Sequence, residues 1–406
     1  MNIQDILISA SLIIIFSYIF DVFSSKTKLP AVVPLLLLGA GIKLVAVFLG
    51  FDVVTFQHRI TAILPLLGTL GLILIVLEGA LELDINASKK GMILKSFAAA
   101  LLVLLATISA IWAILVYGFQ QDSNLALLNA IPLAVISSAI AIPSVANLRA
   151  YEKEFIIYES SFSDILGVLI FNFALTNKVI NAASFSQLGY ELLFIFIISI
   201  VATVSLGFLF ERLGQHKKFV LILAILFFFY GIAKHFHLSA LVLIFIFGLF
   251  AGNNEFFINA LFKQRFKMDV LQREIHHFQS FVMEFAFVFR TFFFVVFGAS
   301  IDSSGLLNLD KWALASLIFL AIYLLRFFYF KATRDDKDNL LWYVAPRGLI
   351  TILLFYSIPD EQKLAILDQD VLLMVILGSV FILAFGSILN AKKSGSTADS
   401  ISNENQ

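Results

Sequence analysis

The stretch FIIYESSFSDILGVLIFNFAL, residues 155–175, has apolar flanks and an apolar second half suited to crossing a bilayer. Its centre carries Glu159 and Asp164, with Ser160 and Ser163 between them. A carboxylate at the centre of a membrane helix costs roughly 2.5–3.5 kcal/mol on insertion scales, so such groups face a partner or a wet cavity. At about 100° per residue, Glu159, Ser163, Gly167, Ser160 and Asp164 share one arc of about 140°, and Phe162, Ile165 and Leu169 fall outside it. The acids, hydroxyls and a small residue thus form a face that admits water or an ion. Hard oxygen donors of this kind suit protons and alkali cations.

The rest of the chain supports a membrane setting. Of 406 residues, 60% are hydrophobic and 14% charged, and 45 are Phe. A soluble core of this length cannot hide that much apolar surface, whereas lipid solvates it. Net charge is zero, so no acidic or basic partner is implied, and nucleic-acid binding has no support. Cysteine is absent, which excludes disulfides, thiolate catalysis and cysteine-bound metals. The start, MNIQDILISASLIIIFSYIF, lacks a basic n-region and a small-residue cleavage site, and reads as a retained first helix. No soluble domain is expected. Residues 391–406, AKKSGSTADSISNENQ, are polar and expected to be a disordered cytoplasmic tail.

Hydropathy predicts an all-α polytopic protein with about thirteen transmembrane helices. The spans are 5–23, 29–49, 60–82, 92–118, 125–148, 155–175, 188–211, 218–234, 238–255, 278–300, 312–330, 340–357 and 369–390. Loop charge tests this count. One side collects Lys89, Lys90, Arg149, Lys153, Arg212, Lys218, Arg273, Lys331, Lys392 and their neighbours; the other holds Arg59, Lys178, Lys234, Lys311 and Lys363. The positive-inside rule then places the N-terminus outside and the C-terminus in the cytoplasm, in a plasma (inner) membrane. Six spans, one linker and six spans make two inverted six-helix repeats.

Eight ionisable residues stay at membrane depth: Lys43, Glu78, Glu159, Asp164, Glu284, Arg290, Arg326 and Arg347. For Lys43 and Glu284 a structural pair is the simpler reading. The fifth span, LALLNAIPLAVISSAIAIPSVANL (125–148), places Ser137 and Ser138 before Pro143. A proline removes a backbone donor and clashes with the preceding turn, so either a simple kink or a break is expected there. A break exposes carbonyls, which is tolerated only where they line a cavity. The twelfth span carries Pro346, Arg347 and Gly348. Interrupted helices in matching positions, here spans 5 and 12, point to a transporter site.

At these residues the chain resembles the cation–proton antiporter superfamily, most closely its sodium/proton exchanger branch. VLEGALELD (76–84), ESSFSD (159–164), FRTFFFVVFGASID (289–302) and PRGLITILLF (346–355) match family segments in order. The resemblance implies that Asp164 alternately binds a proton and a monovalent cation, with Glu159, Ser160 and Ser163 as supporting ligands. Backbone from Ser138 through Ile142 to Pro143 would add carbonyls. Glu78 and an arginine, Arg347 first and Arg290 or Arg326 next, would balance the buried charge. A homodimer is implied, with an ion-carrying core (about 92–175 and 312–390) moving against a scaffold (about 1–82 and 188–300). No cofactor is implied beyond the transported ions, and no enzymatic activity. Glu159 keeps a second reading, as a structural acid paired with Arg347 or Arg290.

Two departures from the family pattern stand out. Its Asn before the aspartate is Ser163 here, leaving one aspartate and favouring electroneutral exchange. Its T-D-P in the broken helix is AIP (141–143), and SSAIAI (137–142) is closer to the potassium-linked branch. The resemblance to the exchanger branch implies sodium or lithium, and this segment leaves potassium open. The rival readings are a monovalent cation channel and a diverged member that no longer exchanges. A channel would need no proton coupling, and no filter loop is visible. An intramembrane protease fits poorly, because EIHHF (274–278) has the wrong order for a zinc motif, and His235 and His237 stand beside no nucleophile. A sensor would be expected to carry a signalling domain.

Overall fold

A computed structural model describes residues 3–404, apart from 28–29, 49, 51–52, 146–147, 178–181, 213–217, 236–237, 239, 254–267, 302–307 and 334–340. Among the described residues the chain is helical, with no β-strand. In order the helices are α1 (Ile3–Thr27), α2 (Val32–Phe48), α3 (Val53–Glu82), α4 (Lys90–Ala113, continued by a π turn over Ile114–Gly118), α5 (Ser123–Ala134), α6 (Ser138–Ser144) and α7 (Ala150–Thr176). They continue as α8 (Ala182–Arg212), α9 (Lys218–His235), α10 (Ala240–Gly252), α11 (Met268–Ser300), α12 (Leu309–Thr333), α13 (Leu349–Ser357) and α14 (Gln369–Glu404).

This order reproduces the thirteen expected spans, with α5 and α6 as the halves of the fifth. A 3-10 turn at Leu341–Tyr343 and α13 form the twelfth. Most helices overrun the expected bounds by a few residues, because helix continues past the apolar segment into the interface. α11 is the clearest case. It begins at Met268 and so takes in the latter part of the segment left open between loop and interfacial helix; residues 254–267 lie outside the described set, as do His237 and Asp302. α14 runs to Glu404 through the polar segment where disorder was expected. Extending a formed helix is far easier than nucleating one.

By length and composition, seven described helical stretches can cross a membrane, and four more are apolar but shorter. α7 is in neither group, because it carries Glu152, Lys153, Glu154, Glu159 and Asp164. α4, α5, α6, α7, α12, α13 and α14 pack chiefly among themselves, as do α2, α3, α8, α10 and α11. The groups meet where α3 touches α6, α7 and α13, and where α10 touches α7. Apolar side chains left exposed on α1 and α8, among them Leu7, Ile15, Phe185 and Leu193, are those a bilayer covers.

Lipid gives helices no hydrophobic reason to associate, so close backbone approach through small residues replaces it. α2 crosses α11 in this way. A Cβ at Gly298 would lie 2.3 Å from the Leu36 carbonyl oxygen, and one at Gly39 would lie 2.1 Å from the Val295 carbonyl oxygen. Both obstacles are backbone and cannot step aside. Gly248 and Gly252 seat α10 on Ala80 and Leu81 of α3 by the same device. Gly298→Ala is therefore expected to cost about 3 kcal/mol through overpacking, read as a lower unfolding temperature of the purified protein.

Candidate functional site

The break in the fifth span begins after Ala134. Asp122 caps the start of α5, its carboxylate accepting from Asn124 N (2.9 Å) and Leu125 N (3.1 Å). The helix ends where Val135 turns to extended backbone (φ −75°, ψ 132°), and α6 resumes at Ser138. Val135 rests against Gly167 of α7: a Cβ there would come within 2.3 Å of the valine methyl. The small residue on the polar arc of α7 thus admits an extended strand of chain.

Backbone groups exposed by the break find partners, as membrane depth demands. Ile136 N donates to Ser163 Oγ (3.0 Å). Ser137 N donates to the Pro346 carbonyl (2.9 Å), which ties the two interrupted spans together. Ser138 donates from both N (3.3 Å) and Oγ to Asp164 Oδ2. Gly348 keeps the second break close: a Cβ there would meet Ile140 at 2.4 Å and Ser137 Oγ at 3.0 Å.

Arg347 completes this accounting. Its Nε donates to the Leu133 carbonyl (2.9 Å), Nη2 to that of Ala134 (3.0 Å) and Nη1 to that of Ala345 (2.7 Å). Its own N–H donates to Ser379 Oγ (2.9 Å). A cation thus sits at the C-terminal, negative end of α5 and satisfies carbonyls that have lost their helix. The expectation that Arg347 comes first in balancing an acid is corrected: its donors go to carbonyls.

Arg326 is the residue that meets a carboxylate. Its Nη1 and Nη2 contact Glu159 Oε1 (2.6 Å) and Oε2 (2.8 Å), and the pair is buried at 0% and 1% exposure. Glu159 was expected as an ion ligand or as a partner of Arg347 or Arg290. It is fully engaged by the third arginine, so neither oxygen is left for an ion in this arrangement. Arg290, half-buried on α11, donates to the Ala139 carbonyl (3.4 Å), and its charge acts on Glu78 of α3.

Asp164 is left. It is 3% exposed, its Oδ2 is held by Ser138, and its Oδ1 has no hydrogen-bond partner. Of the other expected ligands, Ser163 and Ser138 stand around the break. Ser160 turns its hydroxyl back to the Ile156 carbonyl (2.7 Å). Ile142 does not contribute as expected. Ser138 to Ser144 are helical, with Pro143 inside the last turn, and the Ile142 carbonyl accepts from Val145 N (3.3 Å). The chain is extended at 135–137 instead, where Val135 rests against Gly167. Lys43 donates to the Ile301 carbonyl (2.5 Å) at the end of α11, and Glu284 is exposed.

A crevice of about 1140 Å³ lies between the two helix groups, bounded by Leu81 and Glu82 of α3, Ile142 and Pro143 of α6, and Ile157 and Tyr158 of α7. Its rim belongs to the loops rich in Lys and Arg. There Lys89 bridges Glu154 (2.7 Å) and Asp84 (2.9 Å), which hold its ammonium well above the usual lysine range. Tyr158 Oη donates to the Asp84 carbonyl (2.6 Å).

Comparison with known proteins agrees with this fold. No curated protein sequence matches the chain. Two solved structures of the sodium proton antiporter MjNhaP1 from Methanocaldococcus jannaschii share the fold at 19% identity. One gives a TM-score of 0.69, covering 98% of each chain. The other, from electron microscopy, gives 0.68 and covers 97% of each. The family described as sodium/hydrogen exchanger, transmembrane, matches residues 11–391. The chain therefore belongs to the sodium/hydrogen exchanger family of multi-pass membrane transporters, whose activity is cation–proton exchange.

Proposed function

We propose that the chain exchanges one sodium or lithium ion for one proton, with potassium as the alternative cargo, and that Asp164 carries both in turn. The observation behind this reading is the unpartnered Oδ1 of a buried carboxylate that has no cationic partner among the described residues. An isolated charge at this depth is expensive, so the group holds either a proton or a cation. Competition for one seat is enough to couple the two flows. The other acid on this face, Glu159, is neutralised by Arg326, so one charge enters for each that leaves.

The crevice on the Lys/Arg-rich side supports an inward-facing state, under the positive-inside rule. The helix group holding Asp164 would then move against α2, α3, α8, α10 and α11 to expose the site on the other side. The protein would work as a homodimer in the plasma membrane, N-terminus outside and C-terminus in the cytoplasm.

Proteoliposomes loaded acidic test this. Adding external sodium, lithium or potassium is expected to raise internal pH, at a rate unchanged by an imposed voltage. A cation response that tracks voltage would refute one-for-one exchange. Cation flux without proton movement would establish a channel.

A further inference from the structure

The ESSFSD segment holds a serine that the site above does not use. Ser161 is 6% exposed, and its Oγ has no hydrogen-bond partner. Ser96, Thr107 and Ser137 are likewise buried without a hydrogen-bond partner, whereas most serines on these helices find one. Ser109, Ser144, Ser160, Ser199 and Ser357 each return their hydroxyl to the carbonyl four residues earlier. A buried hydroxyl left unmatched costs free energy, and the group asks for an explanation.

Its position supplies one. On α7 the crevice wall climbs through Lys153, Glu154, Ile157 and Tyr158. Ser161 is the next residue on that face, and Asp164 lies one helical turn beyond it, with neighbouring Cβ atoms about 5–6 Å apart. On α3 the crevice ends at Leu81 and Glu82, and one turn deeper stand Glu78 and Gly79. The Ser161 hydroxyl faces Gly79: a Cβ there would lie 3.2 Å from it. Two of the unpartnered oxygens, Ser161 Oγ and Asp164 Oδ1, thus follow one another inward from the closed end of the crevice.

We infer that Ser161 is a ligand for the monovalent cation on its path between the crevice and Asp164, with Gly79 opposite leaving room for the ion. This rests on the exchange reading above. The hydroxyl replaces one water of the cation's shell before the carboxylate is reached, and Ser161 thereby helps to set cation affinity on the crevice side.

Cation-dependent exchange in proteoliposomes tests this with wild type, Ser161→Ala, Ser161→Thr and Asp164→Asn. Ser161→Ala is expected to raise the half-saturating cation concentration about tenfold while keeping the maximal rate within about twofold, and Ser161→Thr to restore it. An unchanged half-saturation, or a lost maximal rate alone, overturns the ligand role. If wild type fails to exchange, or Asp164→Asn still exchanges, the exchange reading itself falls and takes this inference with it. A second measurement needs no proton coupling. The chain has no cysteine, so Ser161→Cys gives a unique thiol. A cationic methanethiosulfonate reagent applied from the Lys/Arg-rich side is expected to modify it, more slowly in saturating sodium. An unmodified thiol in a variant that still exchanges overturns the path.

Discussion

Arg326→Gln is expected to leave little folded protein. The substitution strands Glu159, which is 1% exposed and has both oxygens committed to the lost guanidinium. Removing one member of a buried ion pair costs about 3–5 kcal/mol, because the other charge stays behind unpaired. That is a large share of a protein's net stability. Arg326 also lies over the ring of Phe330 at 4.8 Å and donates to the Leu341 carbonyl (3.4 Å), so truncation loosens α12 from the start of the twelfth span as well. The double variant Glu159→Gln, Arg326→Met is the informative companion. It removes both charges, and pairs replaced by neutral groups of similar volume are often no worse than the originals. Recovery of monodisperse, thermally stable protein in the double but not the single variant is the expected pattern. If the recovered double variant also exchanges, Glu159 is a structural acid; if it is stable but has lost cation affinity, Glu159 is a ligand in another state of the cycle.

Asp164→Asn is expected to keep the fold and abolish exchange. An asparagine oxygen still accepts from Ser138, so the break in the fifth span keeps its partner. No charge remains to meet the cation. Holding a cation at this depth without a counter-charge costs roughly 3 kcal/mol or more, a loss of about 100-fold in occupancy. No proton is released either, so both halves of the exchange disappear together. The check is cation-driven alkalinisation at matched protein density, with unfolding temperature measured on the same preparation. Normal exchange in a well-folded Asp164→Asn protein would sink the mechanism.

Much of this is legible in the sequence. Thirteen spans follow from hydropathy, and spans 5 and 12 are broken as their Pro and Gly residues suggest. Of the arc on α7, Asp164, Ser163 and Gly167 lie beside the break. Partner choice was not legible. Three arginines lie at membrane depth, and only packing decides that Arg326 reaches Glu159 while Arg347 reaches carbonyls. Ser379, which holds the Arg347 backbone, carries no local signal at all. Pro143 marks the span but not the break: α6 carries it in its last turn, and the Ala139 carbonyl, which the proline has no N–H to meet, accepts from Arg290 Nη1. Ser161 falls outside the polar arc that runs from Glu159 to Asp164, on the adjoining face that borders the crevice, and no pattern in the sequence marks it.

The Arg347 guanidinium has one further consequence. Carbonyls at a helix end are themselves good seats for a desolvated cation, and a broken helix offers them beside the carboxylate. By occupying those of Leu133, Ala134 and Ala345, the arginine removes decoys. Its fixed positive charge also repels a second ion. The one-for-one exchange proposed for this chain would need both: a single vacancy for its passenger, and a resident that keeps the adjoining places taken.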